Sequence, residues 1–439
     1  MKDITSYKVK IIETVGWFNS TVEMYVRGVD FYIELILNHW ETVFSKCPSD
    51  KAAKSAAEIL TITSKKRPIV PFDFNVQFNR FPCYLRRAAI AAAFGAVSSY
   101  QTRLERWTKS PKGRKPGLPK AGRSFPALYQ GNMFKAVEGK KYLAEVKVFD
   151  GKNWKWITVR LRKSDVDYIE RHCADSIKGS PTLRWRGKNW YLDFPFEQEL
   201  TLDKVSILTQ IVLSVDLGLN NQAVCVAMKP DGTVVGRKFF KLPAEKARLE
   251  EALSHIRCAQ MHGAVQMPRL WAIAKGINDD IAVKTAHFII DCADYYKADV
   301  IVMEYLDLKG RKKGSKRQRL HHWRAQYVQQ MVEQKAHRKN MRISRICAWN
   351  TSKLAFDGSG EVTRDAGNYS MCTFKSGKRY NCDLSAAYNI AARYFIREIL
   401  KSLPARERQR IEAKVPECAK RITCTCSSLI KLCAELGSL

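Results

Sequence analysis

The segment ADVIVMEYLDLKG, residues 298–310, combines a buried strand with one acidic residue. Residues 298–305 are almost wholly apolar and β-branched, a pattern typical of a strand that is buried on both faces of a sheet. Glu304 interrupts this pattern near the end of the strand. Because burying a carboxylate is costly unless a cation or a metal compensates it, we expect Glu304 to face such a partner.

A second apolar strand with an embedded acid lies upstream. The segment IVLSVDLGLNNQAVCVAMKPDGTVVGRKFF, residues 211–240, predicts three antiparallel strands joined by tight turns, and Asp216 lies in the first of them. A long helical stretch, from about residue 245 to residue 296, separates this meander from the Glu304 strand. A meander, a helix and a further buried strand, in this order, predict an RNase H-like α/β fold.

A third acid, Asp383, stands in YNCDLSAAYNIAARYF (380–395), immediately before a regular amphipathic helix. Each acid has a simpler explanation: Asp216 could begin a turn, Glu304 could point outward at a strand end, and Asp383 could be a helix N-cap. Taken together, they predict three carboxylates that converge and repel one another unless cations neutralise them. Two Mg²⁺ ions roughly 4 Å apart would do so, and would activate a water and stabilise the leaving oxygen of a phosphodiester.

The composition indicates a polyanionic partner. The chain has 439 residues, enough for two to four domains, and a formal net charge of +32. Such a charge points to nucleic acid. An anionic membrane could also attract it, but no apolar run is long enough to span a bilayer, and the N-terminal MKDITSYKVK lacks the apolar core of a signal peptide, so we expect an intracellular protein. The 13 cysteines are then expected to be reduced thiols or metal ligands.

Three segments, SVDLGLNNQAV, DVIVMEYLD and CDLSAAYNIAARY, resemble in this order the three RuvC motifs of the transposon-encoded TnpB (OrfB) nucleases and of the compact type V CRISPR effectors. The helix HHWRAQYVQQMVEQKAH, the NTSK segment and the basic KGRKPGLPKAGRSF segment resemble secondary features of that family. The resemblance is strong from residue 211 to residue 395. It implies that Asp216, Glu304 and Asp383 are the metal-binding catalytic triad, with two Mg²⁺ ions per site.

The same resemblance implies an α/β multidomain protein in which a RuvC nuclease domain accompanies a wedge β-barrel with an inserted helical recognition lobe. The partners would be a guide RNA, of the omega RNA or CRISPR RNA type, and target DNA beside a short motif, in a prokaryotic cytoplasm and on the nucleoid, with no membrane. The predicted boundaries are 1–19 for the first wedge strand, 20–124 for the lobe, 125–208 for the barrel, 209–345 for RuvC motifs I and II, 346–382 for a finger-like hairpin, 383–400 for the motif III helix and 401–439 for a tail.

Two departures from the family pattern affect the metal predictions. Ala355, Gly358, Thr373 and Ser376 occupy the positions of the four zinc-finger cysteines, so we expect a hairpin stabilised by packing and no structural zinc. The C-terminal cysteines (418, 424, 426 and 433) offer only one closely spaced pair and do not change this expectation. Ser385 stands where the family commonly has Asn, which predicts altered hydrogen bonding around the metal site.

Basic residues outside the triad are candidate nucleic-acid contacts. Aromatic residues alternating with Lys and Arg in the strands of residues 125–202 suit base stacking, although ordinary barrel packing explains them almost as well. The basic run after the Glu304 strand is expected to be solvated without ligand and to fold over a nucleic-acid strand when one enters the cleft. The candidates are Lys309, Arg311, Lys312, Lys313, Lys316, Arg317, Arg319 and Trp323, with Lys112, Arg114, Lys115 and Lys120 in the earlier basic loop.

Four functions remain open on the sequence. The leading hypothesis is an RNA-guided DNA endonuclease, because the acids and the basic charge occur together. The others are a guide-directed repressor without nuclease activity, an unguided RNase H-like nuclease associated with transposition, and an RNA-binding scaffold whose acids only cap helices and turns. The sequence leaves open whether the chain is a monomer or an oligomer.

Overall fold

The computed structural model describes residues 2–13, 15–111, 113–122, 124–202, 205–218, 221–306, 324–365, 367–368, 370–420 and 422–437. The chain forms two compact units, residues 2–199 and residues 200–439. Each unit contains both helices and strands. The predicted α/β multidomain class is therefore confirmed, whereas the finer domain boundaries stay predictions.

The first unit builds one core from helices and antiparallel strands. Apolar faces of the long helices and of the strands pack into a single cluster that includes Phe18, Tyr32, Leu85, Val146 and Phe194. Its strands are β1 (Lys2–Lys10), β2 (Phe134–Ala136), β3 (Leu143–Phe149), β4 (Trp154–Arg160), β5 (Ile177–Lys178), β6 (Thr182–Arg186) and β7 (Asn189–Glu199). Its helices are α1 (Trp17–Asn38), α2 (Asp50–Thr61), α3 (Phe74–Gln77), α4 (Cys83–Lys109) and α5 (Lys163–His172).

The described residues of the predicted wedge barrel, 125–208, do not form a closed barrel, and the wedge barrel stays a prediction. The strands form two separate sheets, one of β1, β5, β6 and β7 and one of β2, β3 and β4. Isolated bridges connect the two sheets at two places. One joins Ile11, after β1, to Leu161, after β4, and the other joins Ala127, in the segment before β2, to Thr182 of β6. A closed barrel requires a continuous ladder around its circumference, and isolated bridges do not supply one. The two repeats of Gly-Lys-Asn-Trp do lie at hairpin turns, between β3 and β4 and between β6 and β7.

The second unit contains a five-stranded mixed sheet that carries the acidic residues. The strand order is β10-β9-β8-β11-β12, with β8, β9 and β10 antiparallel and with β11 parallel to both β8 and β12. This is the predicted meander joined to the buried Glu304 strand. The strands are β8 (Val212–Asp216), β9 (Ala223–Met228), β10 (Val234–Phe240), β11 (Val300–Tyr305) and β12 (Arg342–Cys347).

Helices cover both faces of this sheet, and its central strands are accordingly mostly apolar up to their acidic residues. One face packs on α9 (Cys382–Ser402) and α11 (Cys426–Gly437), and the other packs on α7 (Pro268–Tyr295) and α8 (Ala325–His337). The remaining elements are α6 (Pro243–Met261), α10 (Ala405–Lys414) and the small hairpin sheet β13 (Thr363–Arg364), β14 (Met371–Thr373) and β15 (Arg379–Asn381).

The single long helix expected between residues 245 and 296 is two helices, α6 and α7. Gly263 adopts a φ of 82° directly after α6, a left-handed conformation that ends a helix at little cost for glycine. Pro268 then occupies the first turn of α7, where its missing N–H is not needed. The break therefore follows from a glycine and a proline, and the spacing of apolar residues alone does not reveal it.

Candidate active site

Asp216 and Glu304 lie at the carboxyl ends of two adjacent parallel strands of the second unit. Val215 of β8 pairs with Met303 of β11, and the next residue on each strand is the acid. Because parallel strands point the same way, both carboxylates lie at the carboxyl edge of the sheet, where open α/β sheets commonly hold their sites. Asp216 is the last residue of β8 and still pairs with Val224 of β9, so it does not simply begin a turn.

Asp383 lies in the first turn of α9 and is not the helix N-cap. Asn381 caps the helix, since its side-chain oxygen accepts a hydrogen bond of 2.9 Å from the backbone N–H of Leu384. The simpler explanation of Asp383 as a cap is therefore wrong. The helix is fixed to the sheet close to this turn, because the Ser214 hydroxyl on β8 donates to the carbonyl of Ala387 at 2.7 Å.

The three acids share one electrostatic environment. Burial raises the pKa of Asp216 well above its ordinary value, and the negative charges of Glu304 and Asp383 raise it further. The positive charge of Arg364, in the small hairpin sheet, acts in the opposite direction. A carboxyl group whose pKa is raised by neighbouring carboxylates is typical of sites for metal binding or catalysis. Sequence reasoning missed Arg364, which lies in a segment without a recognisable pattern.

The carboxylates are held by partners from the protein. The Thr351 hydroxyl donates to Glu304 Oε1, and the Asn221 side-chain amide donates to Asp383 Oδ2 at 2.5 Å. Among the residues that the structure describes, no three His, Cys, Asp or Glu side chains are grouped closely enough to hold one ion. The donor chemistry nevertheless fits a hard divalent cation, because the three acids supply only oxygen and their mutual repulsion is what such a cation would relieve.

One helix organises the surroundings of Glu304. Asn389 of α9 donates from its side-chain amide to the carbonyls of Thr351 and Leu354, at 3.0 and 2.9 Å. The same side chain accepts the backbone N–H of Cys426 at 3.1 Å. The helix that carries Asp383 therefore also fixes the loop that carries Thr351, the hydrogen-bond donor to Glu304.

Arg393, one turn further along α9, completes this arrangement. It is 4% exposed and donates to four backbone carbonyls, those of Cys347, Trp349, Ile422 and Cys424, at 2.6–3.1 Å. Burial lowers the pKa of its guanidinium. A guanidinium has five N–H donors in a fixed plane and can therefore bind four converging carbonyls. A lysine ammonium could not reach all four at once. Neither Asn389 nor Arg393 was identified from the sequence, because the position of a polar residue within a helical pattern does not indicate which distant residues it contacts.

Most of the predicted nucleic-acid contacts lie outside the described residues. This applies to Lys112 in the basic loop and to the run after β11, namely Lys309, Arg311, Lys312, Lys313, Lys316, Arg317, Arg319 and Trp323. Arg114, Lys115 and Lys120 are described and lie in the first unit, where Arg114 and Lys115 are exposed. Lys115 lies 5.9 Å from the ring centre of Trp107, whose indole N–H donates to the carbonyl of Gly113 at 3.4 Å, so this part of the loop is tied to α4.

Of the four positions that lack zinc-finger cysteines, Ala355 lies in a small apolar cluster. Ala355 packs there with Cys372, Phe374 and Cys382, and Phe356 and Tyr380 lie against it. The Cys372 thiol donates to the Tyr380 carbonyl across the β14–β15 pair, at 3.4 Å. Packing therefore joins the hairpin to the start of the Asp383 helix.

Comparisons with known proteins find similarity both in sequence and in fold. The Aq_aa04 family model matches residues 5–150. A TnpB-like protein of Aquifex aeolicus (strain VF5) is 25% identical over 232 residues, which are 48% of this chain and 76% of that protein. A cryo-EM structure of a Cas12f1–sgRNA–target DNA complex matches with a TM-score of 0.53 at 13% identity, over 85% of this chain and 81% of the Cas12f1 chain.

CasPhi-2 (Cas12j), solved with crRNA and phosphorothioate-DNA, matches with a TM-score of 0.46 at 10% identity, over 90% of this chain and 91% of that one. The Cas12f1 match shows a shared fold. None of the helices in the described part of the chain combines the length and the apolar character that a membrane crossing demands.

Proposed function

We propose that this chain, which is similar in sequence to a TnpB-like protein and shares the fold of Cas12f1, is an RNA-guided DNA endonuclease with a RuvC-type, magnesium-dependent site. The observation that carries the proposal is the electrostatic coupling of Asp216 to Glu304 and Asp383 at the carboxyl edge of parallel strands. The net charge of +32 supports a large polyanion such as a guide RNA paired with DNA.

In this proposal Asp216, Glu304 and Asp383 hold the magnesium ions. Bound magnesium would supply an activated water and would stabilise the leaving oxygen of the phosphodiester. The protein's own contribution is the placement of its acids: Thr351 orients Glu304, and the rigid attachment of α9 to β8 fixes the position of Asp383. Arg364 provides a positive charge beside Asp216 that favours the ionised form of the site.

The parts of the chain receive roles by the same argument. We assign the nuclease domain to residues 209–345 with the motif III helix at 383–400, and we assign guide and adjacent-motif recognition to residues 1–208. Base pairing between guide and target would select the sequence, while the protein supplies charge and shape. Such a protein acts on DNA in the prokaryotic cytoplasm, and neither partner requires a membrane.

The proposal is tested by purifying the full chain from cells that carry its native flanking DNA and sequencing the RNA that remains after a high-salt wash. We expect one discrete structured RNA, and Mg²⁺-dependent cleavage of DNA that matches its guide portion, with cleavage abolished by EDTA. A scrambled target is the control. Cleavage of matched and scrambled DNA alike by RNA-free protein would instead identify an unguided nuclease. Guided binding without cleavage would identify a repressor.

A further inference from the structure

Asn221 is held against the candidate active site by the turn between β8 and β9. Its side-chain Nδ2 donates to Asp383 Oδ2 at 2.5 Å. The backbone carbonyl of Asn221 accepts the N–H of Gly218 at 3.1 Å, and a Cβ on Gly218 would lie 2.9 Å from that carbonyl oxygen. A glycine is therefore needed for the close approach that brings Asn221 to Asp383.

The other half of the same side chain is unsatisfied. Asn221 is 2% exposed, and its Oδ1 is a buried acceptor without a hydrogen-bond partner among the described residues. Leaving a buried amide oxygen unpaired costs about 1–3 kcal/mol, so native proteins rarely do so without a functional reason. The turn itself does not need this side chain, because the main chain closes it.

We infer that Asn221 is a further residue of the metal site, which positions Asp383 through its N–H and offers its carboxamide oxygen to the bound ion or to a water on that ion. This inference rests on the proposed function. Carboxamide oxygens are among the ligands that hard divalent cations accept in proteins. The N–H donated to Asp383 Oδ2 leaves Asp383 Oδ1 for the ion. One side chain thus supports an acid and adds a neutral oxygen, which increases the number of ligands without adding repulsion.

Gln222 provides a matched control in the same turn. It is also a buried amide, and its Oε1 accepts the backbone N–H of Leu242 at 2.9 Å, away from the acids. Replacing Gln222 with Ala likewise removes a buried amide and one hydrogen bond, here one that the side chain accepts from a backbone N–H. The comparison of Asn221→Ala with Gln222→Ala therefore separates a role at the ion from a general loss of turn stability.

The test is calorimetric binding of Mn²⁺ alone to the purified full chain, with thermal unfolding of each variant measured in EDTA. We expect Asn221→Ala to weaken Mn²⁺ binding about tenfold or more and Gln222→Ala to leave it within about twofold, because residues that support metal ligands contribute on this scale. Asn221→Asp keeps an oxygen but adds a charge. In EDTA this variant is expected to unfold at a lower temperature than the wild type. Its unfolding temperature is expected to rise when the EDTA is replaced by Mn²⁺.

The outcomes separate this inference from the proposed function. Unchanged Mn²⁺ binding in Asn221→Ala, or an equal loss in Asn221→Ala and Gln222→Ala, overturns the role of Asn221 alone. Mn²⁺ binding that Asp216→Asn does not weaken overturns both the inference and the metal site on which it rests. If Asn221→Ala fails to fold, Asn221→Asp decides the question. An unfolding temperature of Asn221→Asp that is no higher in Mn²⁺ than in EDTA would contradict the placement of the side-chain oxygen at the ion.

Discussion

Replacing Asp216 with Asn is expected to reduce guided DNA cleavage by about a thousandfold or more, because the central carboxylate of the site is lost while the side chain keeps its size. The charges of Glu304 and Asp383 both act on Asp216, so the substitution removes the carboxylate that interacts with each of the other two. Guide RNA and matched DNA should still bind, since these interactions depend on the many basic residues of the chain. Single-turnover cleavage and filter binding of the same preparations measure the two effects separately.

Asp231→Asn serves as the control for this substitution. Asp231 lies in the exposed turn between β9 and β10, where its carboxylate accepts the backbone N–H of Thr233. The control removes the same charge from the same meander without touching the site. Cleavage by Asp216→Asn at the wild-type rate would show that the chemistry lies elsewhere. Loss of cleavage in both variants would point to a general effect of charge or folding.

The Asp216→Asn substitution has an opposite effect on the stability of the metal-free protein. Because the folded state raises the pKa of Asp216, the protonated form favours folding below the unfolded pKa of about 4, and this contribution is lost as the pH rises through the folded pKa. In EDTA at about pH 7.5 the wild type therefore carries a repulsion that the variant lacks. Thermal unfolding should show the variant to be the more stable at that pH, with the difference closing towards pH 4. If the wild type were more stable than Asp216→Asn at neutral pH in EDTA, the expected repulsion between Asp216 and the other two acids would be contradicted.

Arg393→Lys is expected to destabilise the second unit by about 3 kcal/mol, because an ammonium cannot reach four carbonyls and leaves buried acceptors unpaired. For a unit of this size, that loss corresponds to a decrease of about 6–12 °C in the unfolding temperature. The cleavage rate should also decrease at temperatures where the variant is still folded. The reason is that the loop fixed by Arg393 contains Thr351, the hydrogen-bond donor to Glu304.

The control for Arg393 is Arg410→Lys on α10, where the side chain is exposed. The same chemical change there should alter the unfolding temperature by less than about 1–2 °C, as is usual for surface substitutions. Differential scanning calorimetry of the full chain distinguishes the second unit from the first if they unfold separately. An Arg393→Lys variant with the stability of Arg410→Lys would show that the four carbonyls have other donors in solution.

Local patterns in the sequence were sufficient for four of the five strands of the sheet and for the position of the acids along the chain. The alternation of apolar runs and turn residues predicted β8 to β11, and the parallel pairing of β8 with β11 then requires Asp216 and Glu304 to be neighbours. Asp383 was recognisable because an acid just before an amphipathic helix stands out. These features depend on residues that are close in the chain, or on strand order, which few rules govern.

Contacts between distant segments could not be predicted in this way. Arg393 and Asn389 bind backbone carbonyls, which every residue has, so the sequence does not show which carbonyls they contact. Asn221 differs from other turn residues only through its contact with Asp383. Whether the predicted barrel closes is a related question. Alternating strands indicate two-sided sheets, but whether those sheets close depends on the pairing of distant edges, which periodicity does not specify.

The most direct test of the central claim is the anomalous scattering of Mn²⁺ in crystals of the full chain with its RNA. We expect at least one manganese peak that contacts carboxylate oxygens of Asp216, Glu304 and Asp383 at roughly 2.1–2.3 Å, with Asn221 beside it. A map with ordered carboxylates and no manganese among them, at ion concentrations that support cleavage, would contradict the claim that these three acids form the nuclease site.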